Sequence, residues 1–156
     1  KKFLIYIELR NAGASRLLFF QRYFILMNMV IAPRKILLVE DDPFLSSLLK
    51  NRLQKEGFEI NLAKDGQECI DQLKNLQPDL MLLDLILPKK TGFEVMEEIR
   101  LDPQFYGKNV PIIVISNLGQ REDIAKSRQL GAIDYYVKAK ISIDELIQKI
   151  KEFLVK

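Results

Sequence analysis

The side chains of this sequence that could do chemistry are acids, a hydroxyl and an amine, and each of them follows an apolar run. Three consecutive acids follow the run that begins at Ile36, and polar residues end three later runs. If the runs are neighbouring parallel strands, their carboxyl ends meet at one edge of a sheet and these side chains come together there. The set consists of Glu40, Asp41, Asp42, Asp84, Ser116, Asn117 and Lys138.

Grouped carboxylates of this kind indicate a cation site. Carboxylates about 4 Å apart repel by about 4 kcal/mol per pair at an effective dielectric of about 20, so a cation is needed to keep them ionised. The sequence has no histidine, and Cys69 is its single cysteine. Histidine metal sites, histidine bases, a Ser/His/Asp triad, disulfides and thiolate zinc sites are therefore excluded. All-oxygen ligation predicts Mg²⁺ with room for a phosphate oxygen.

Five runs are predicted to be the strands that position these residues. Ile36–Val39, Leu80–Leu83, Ile112–Ile115 and, less cleanly, Tyr135–Val137 are almost continuously apolar, which is typical of parallel strands buried on both faces. The run Phe58–Leu62 alternates instead, which predicts an edge strand.

Helix signals lie between the strands. Asp42 and Pro43 predict an N-cap and first position, and Gly57 predicts the end of that helix. The segment between Gln120 and Leu130 has few apolar residues and is predicted to be the least firmly packed helix. Three further starts have capping-box spacing: Asp65 with Glu68, Thr91 with Glu94, and Ser142 with Glu145. The last helix carries an apolar stripe of Ile143, Leu146, Ile147, Ile150, Phe153 and Leu154.

This alternation of strand and helix predicts a doubly wound α/β fold with a parallel sheet. Its motifs, taken in order, resemble the response-regulator receiver domain (CheY-like) over residues 35–156. The resemblance is carried by Ile36–Pro43, Pro78–Pro88, Pro111–Ser116 and Gly131–Lys138. It implies a flavodoxin-like, five-stranded parallel sheet of order 2-1-3-4-5 with helices on both faces.

The resemblance implies a metal-dependent phosphoryl acceptor. Asp84 would be the carboxylate that accepts the phosphoryl group and forms an acyl phosphate. Glu40 and Asp41 would hold Mg²⁺ together with Asp84, with Asp41 the more direct ligand. Ile86 would contribute its backbone carbonyl to the metal. The N-cap role of Asp42 is preferred to a third acidic ligand.

The resemblance also implies partners for the phosphoryl oxygens and a switch. Ser116 would hydrogen-bond one oxygen through its hydroxyl, and Lys138 would pair with another as a point charge. Tyr135 would be an aromatic switch whose rotamer follows Ser116; the alternative is a passive aromatic on an edge strand.

The sequence departs from the family pattern at four positions. Ala139 follows Lys138 where the family usually has a cis-proline that helps to aim the lysine, so either a strained bond or a different aim is expected. Asn117 is larger than the usual small residue and would crowd the pocket. Ile86 and Leu118 are apolar where the family tunes hydrolysis, which predicts slow self-dephosphorylation.

Residues 1–28 differ from the rest of the chain. They carry five basic residues and one acidic residue, whereas residues 29–156 carry 19 basic and 20 acidic residues. The near-neutral charge of residues 29–156 does not indicate a polyanion binder.

The apolar stretch 17–32 contains Gln21, Arg22 and Asn28 and falls short of a membrane span of about 20 apolar residues. Because the sequence begins with Lys1 and Met29 precedes the first strand, we interpret residues 1–28 as upstream sequence read in frame. A membrane-surface or partner-binding helix and a signal peptide remain alternatives. The receiver domain is assigned to residues 34–156.

The expected function is two-component signalling in the cytoplasm. A sensor histidine kinase or a histidine phosphotransfer protein would phosphorylate Asp84, and a downstream protein would contact the fourth helix, fifth strand and fifth helix. The protein would catalyse its own phosphorylation and slow dephosphorylation without turning over another substrate. No output domain and no direct DNA binding are expected. No membrane contact is expected unless residues 1–28 are functional.

Three other functions can be compared with this one. A phosphatase with an aspartyl-phosphate intermediate would need a second acid at Ile86, and a flavin site would need a phosphate loop where Glu40, Asp41 and Asp42 stand. The main alternative is an unphosphorylated receiver-like interaction module, which Asn117 and Ala139 leave open.

Overall fold

The structure is a computed structural model that describes residues 33–105 and 110–154. The interpretation of residues 1–28 lies outside these ranges and stays a prediction. From Arg34 onward, the described residues belong to one compact unit. None of its helices is both long and apolar enough to cross a lipid bilayer.

A five-stranded parallel sheet forms the centre of this unit. The strands are β1 (Lys35–Val39), β2 (Glu59–Ala63), β3 (Leu80–Leu83), β4 (Ile112–Ser116) and β5 (Ala132–Val137). Their order in the sheet is β2-β1-β3-β4-β5, as predicted, with β2 at one edge and β5 at the other. The register between β4 and β5 shifts at Ile112 and Ile113.

Helices connect the strands and cover both faces of the sheet. They are α1 (Pro43–Lys55), α2 (Gly66–Leu73), α3 (Gly92–Leu101), α4 (Arg121–Gln129) and α5 (Ile143–Leu154), with short 3-10 turns at Pro103–Phe105 and Lys138–Lys140. The cap signals are confirmed at Thr91, which forms a full capping box with Glu94, and at Asp65, which accepts the Glu68 amide. Ser142 accepts the amide of Glu145 at 3.2 Å.

Alternate residues of the strands pack into two separate cores. Leu37 and Val39 point to a cluster shared with α2 and α3, while Ile36 and Leu38 point to a cluster shared with α1 and α5. The continuous apolar runs follow from this burial on both faces, because neither side of a central strand meets water.

The helices differ in how firmly they pack. In α4 only Ser127 is buried, which confirms the prediction that this helix is the least firmly packed. One helix prediction needs correction. Phe153, expected in the core stripe of α5, is 37% exposed. The buried residues of this helix are Leu146, Ile147, Ile150 and Leu154, and Phe153 lies at the edge of the face that they form.

Candidate functional site

The carboxyl ends of β1 and β3 bring the first two acids together. These strands are paired, with Val39 opposite Leu83, so the next residue of each strand, Glu40 or Asp84, stands at the same edge. The Asp84 amide donates to the carbonyl of Val39 at 3.0 Å, which extends the pairing to the site. Both acids are buried, at 4% and 5% exposure. Two carboxylates at such depth require a compensating cation.

Lys138 supplies a positive charge to this pair of acids. Its Nζ lies 2.5 Å from Oδ2 of Asp84 and 2.7 Å from Oε2 of Glu40, and its side chain is 13% exposed. The lysine follows β5, two strands away from β3 in the sheet. Three strand ends therefore converge on one charge cluster, as the sequence predicted.

Burial and charge act in opposite directions on Glu40 and Lys138. Burial raises the pKa of Glu40 and Asp84 adds to this effect, although hydrogen bonding to Lys138 opposes it. Burial acts to lower the pKa of Lys138, but its hydrogen bonds to Asp84 and Glu40 outweigh burial, and the pKa is raised. One ammonium thus contacts two carboxylates, so a single positive charge is shared between two acidic groups.

The residues fit a magnesium ion by the chemistry of their donor set. Carboxylate oxygens of Glu40, Asp41 and Asp84 lie within 4.8 Å of one another. Asp41 is exposed, while the other two acids are buried, so the group opens to solvent on one side. An all-oxygen group with an open side suits Mg²⁺, which keeps several of its waters.

Asp42 has a different role from the two acids before it. Its Oδ1 accepts the amides of Phe44 and Leu45 at 2.8 and 2.9 Å and caps α1. This arrangement confirms the predicted N-cap. The Asp42 amide also lies 3.4 Å from Oε1 of Glu40, so the start of α1 is tied to the buried acid.

The pocket above the acids contains most, but not all, of the predicted site residues. Ile86, Asn117 and Lys138 line it together with the acids, and Leu45 and Pro43 of α1 complete the wall. Sequence reasoning did not assign Leu45 to the site. The one feature of the sequence that could have indicated it is the position of Leu45. A helix that begins directly after the acids places its first turn beside the pocket.

Ser116, Leu118 and Tyr135 meet beside the pocket. Ser116 is fully buried, and its Oγ accepts the Leu118 amide at 3.4 Å. Tyr135 is half-buried, and its hydroxyl donates to the Leu118 carbonyl at 2.7 Å. The predicted switch pair is therefore connected through the backbone of one residue. Leu118 itself packs against the core, whereas Ile86 lines the pocket and is 53% exposed.

The peptide after Lys138 resolves the question raised by Ala139. The described residues contain no cis peptide bond, so the chain passes through Lys138–Lys140 as a 3-10 turn with ordinary trans geometry. Lys138 nevertheless reaches both Glu40 and Asp84. Of the two expectations for Ala139, no strained cis bond is formed, and the Lys138 side chain still contacts both acids.

Comparison with known proteins gives a consistent family. The profile of the family described as the response regulator receiver domain matches residues 36–151. The chain is 38% identical over 120 residues to the transcriptional regulatory protein CpxR of Escherichia coli K12, a match that covers 77% of this chain and 49% of CpxR. It is 33% identical over 120 residues to the DNA-binding dual master transcriptional regulator RpaA of Synechocystis PCC 6803, covering 77% of this chain and 48% of RpaA.

The chain therefore spans about half the length of the curated relatives it matches. Those relatives are named as regulators of transcription, and RpaA as DNA-binding. The expectations of no output domain and of no direct DNA contact gain no support from them.

Solved structures give the same fold. The receiver domain of the Francisella response regulator 1452 has a TM-score of 0.70 and 25% identity, covering 78% of this chain and 97% of that chain. A CheY-like receiver domain protein of Methanospirillum hungatei JF-1 has a TM-score of 0.70 and 29% identity, covering 79% and 94%. The BeF3-activated N-terminal receiver domain of Klebsiella pneumoniae RstA has a TM-score of 0.69 and 27% identity, covering 79% and 100%.

Proposed function

This chain belongs to the response regulator receiver domain family of two-component systems, and from that premise we propose that it is a switch in which Asp84 accepts a phosphoryl group. The observation that carries the proposal is the position of Asp84, which is 5% exposed and shares the ammonium of Lys138 with Glu40. A buried carboxylate that contacts an ammonium in a polar pocket is a suitable nucleophile.

The donor is a phosphohistidine on a sensor kinase or a histidine phosphotransfer protein. Because none of the 156 residues is histidine, the donor histidine lies outside this sequence. A carboxylate oxygen of Asp84 attacks the phosphorus, the phosphorus–nitrogen bond breaks, and the imidazole nitrogen keeps the electron pair. The product is an acyl phosphate on Asp84 and a free histidine on the donor.

Two groups of residues around Asp84 stabilise the negative charge of the phosphoryl oxygens. Lys138 moves its ammonium from the Asp84 carboxylate to a phosphoryl oxygen, which leaves that carboxylate free to react. Glu40, Asp41 and Asp84, with the carbonyl of Ile86, are the residues that would hold Mg²⁺. The ion would supply positive charge to the transferring oxygens.

Ser116 and Tyr135 connect phosphorylation of Asp84 to structural change outside the pocket. In the described state the Ser116 hydroxyl contacts the Leu118 amide, and Tyr135 contacts the Leu118 carbonyl. When Ser116 turns to a phosphoryl oxygen, it leaves this amide and frees the segment that leads into α4. The weak packing of α4 supports its role as the element that moves, with α4, β5 and α5 as the surface for a downstream partner.

The alternative is a receiver-like interaction module that is never phosphorylated. It was left open by Ala139 and Asn117. The contact of Lys138 with both acids supports the phosphorylated switch, whereas Asn117 lines the pocket and leaves less space for a phosphoryl group. The cytoplasmic location remains part of the proposal.

Incubation with acetyl phosphate and Mg²⁺ separates these two functions. We expect the intact protein to gain the mass of one phosphoryl group, and we expect Asp84→Asn to gain none. EDTA should abolish the gain in the wild type. No gain in the wild type, from either acetyl phosphate or a phosphorylated histidine donor, would favour the interaction module.

A further inference from the structure

The loop between β3 and α3 is fastened to α2 by an ion pair that the proposed function does not use. Residues 85–91 form this loop, which begins directly after Asp84. Lys89 in the loop places its Nζ 2.6 Å from Oδ2 of Asp65, the residue that caps α2. The Asp65 side chain is 10% exposed, so the lysine neutralises a largely buried carboxylate.

The backbone of Lys89, the residue that forms this ion pair, has a left-handed conformation. Its φ is 63°, and among the described residues it is the one non-glycine residue with a positive φ. Glycine adopts this left-handed conformation more readily than lysine does. Lysine at this position has a less favourable backbone conformation than glycine would have, but its side chain is long enough to reach Asp65.

A second contact brings the loop backbone against the same helix. At Gly66, the first residue of α2, a Cβ atom would overlap the carbonyl oxygen of Lys90. The side chain of Lys90 turns the other way and pairs with Glu98 on α3. The loop is therefore held between α2 and α3, and its exposed middle depends on these contacts.

The loop in turn contacts the proposed acceptor. The Ile86 amide donates to Oδ1 of Asp84 at 3.1 Å, while Lys138 occupies Oδ2. Leu85 and Leu87 are buried, but the side chains of Ile86 and Lys89 are exposed. Core packing and a hydrogen bond from the Gly92 amide to the Leu85 carbonyl at 3.0 Å anchor the start of the loop. The ion pairs of Lys89 and Lys90 anchor its second half.

We propose that Lys89 is a positioning residue whose ion pair with Asp65 holds the β3–α3 loop, and with it the backbone of Ile86, against the Asp84 carboxylate. This inference rests on the proposed function, because Ile86 contributes to the magnesium site only if that site exists. Lys89 itself touches neither the metal nor the phosphoryl group.

The test compares Lys89→Ala, Lys89→Gly and Lys89→Arg by titration calorimetry of Mg²⁺ binding. We expect Ala and Gly to raise the Mg²⁺ dissociation constant by about fivefold and Arg to stay within about twofold of the wild type. Glycine suits the left-handed backbone, so it preserves the fold if alanine destabilises it. Lys149→Ala, which removes an exposed lysine paired with Glu152 on α5, is the matched control and should bind as the wild type does.

Two further readouts distinguish positioning from general stability. Hydrogen exchange of the segment 85–91 should be faster in Ala and Gly and restored by Arg. With acetyl phosphate, the Mg²⁺ concentration for half-maximal phosphorylation should rise while the rate at saturating Mg²⁺ changes little. Wild-type Mg²⁺ affinity in both Ala and Gly, or failure of Arg to restore it, would overturn the inference alone. Absence of Mg²⁺ binding by the wild type would instead overturn the proposed function, and this inference with it.

Discussion

The ammonium nitrogen of Lys138 lies 2.5 Å from Oδ2 of Asp84, although 54 residues separate them in the chain. The same nitrogen lies 2.7 Å from Oε2 of Glu40. Because both acids are buried, contact with this ammonium offsets part of the cost of burying their negative charge.

Replacing Lys138 should slow phosphorylation more than it impairs folding. Lys138→Met removes the charge that we propose meets a phosphoryl oxygen, and we expect the initial rate with acetyl phosphate at saturating Mg²⁺ to fall about 100-fold. Lys140→Met, which removes an exposed lysine from the same turn, should keep the wild-type rate. Equal rates for Lys138→Met and the wild type would remove Lys138 from the mechanism.

Glu40 should make metal-free stability depend on pH with a defined sign. Its pKa in the folded state is raised above the ordinary value of 4.5, so the folded protein holds its proton more tightly than the unfolded chain does. The stabilising effect of that proton is present below pH 4.5 and is lost as the pH rises through the folded pKa.

Glu40→Gln should therefore be more stable than the wild type near neutral pH in EDTA. The gap should close as the pH falls toward 4.5. Urea unfolding of both proteins across this range measures the difference. A variant that is less stable than the wild type at neutral pH would show that the Lys138 ion pair outweighs the burial of Glu40.

Magnesium should stabilise the folded protein through Asp41. At about 100 times its dissociation constant, Mg²⁺ should raise the free energy of unfolding by about 2.7 kcal/mol. Asp41→Asn removes the exposed carboxylate of the proposed magnesium site and should abolish most of that gain. Asp42→Ala is the neighbouring control: it should lower stability by about 1 kcal/mol, because α1 loses its N-cap, yet retain the response to Mg²⁺.

The acyl phosphate should be long-lived because of Ile86. This side chain is apolar, lines the pocket and cannot orient an attacking water. Ile86→Gln should shorten the lifetime of the phosphorylated protein by about tenfold, since a polar side chain there could position that water. Leu118→Gln should have a smaller effect, because Leu118 packs against the core. Loss of label from the wild type within seconds would contradict this explanation.

Much of the fold was predictable because its signals are local and redundant. The run Leu80–Leu83 is buried on both faces, and Asp42 caps α1, as the sequence indicated. The grouping of Glu40 and Asp84 follows from the same reasoning, because adjacent parallel strands that end together place their next residues side by side.

The remaining features depend on tertiary geometry that no local pattern encodes. Lys138 begins a 3-10 turn after β5 and reaches Asp84 with no cis peptide among the described residues. The contact of Tyr135 with the Leu118 carbonyl joins a strand to a loop 17 residues earlier. Phe153 fits the apolar period of α5 but lies at the edge of its buried face, so periodicity alone placed it wrongly in the core.

The central claim is tested most directly by locating the phosphoryl group. Borohydride reduces an acyl phosphate of aspartate to homoserine, and mass spectrometry of the peptides then identifies the modified residue. After treatment with acetyl phosphate and Mg²⁺, we expect homoserine at position 84, with Asp41 and Asp42 unchanged. Homoserine at either of those two acids, or at no position after a measured phosphoryl gain, would contradict Asp84 as the acceptor.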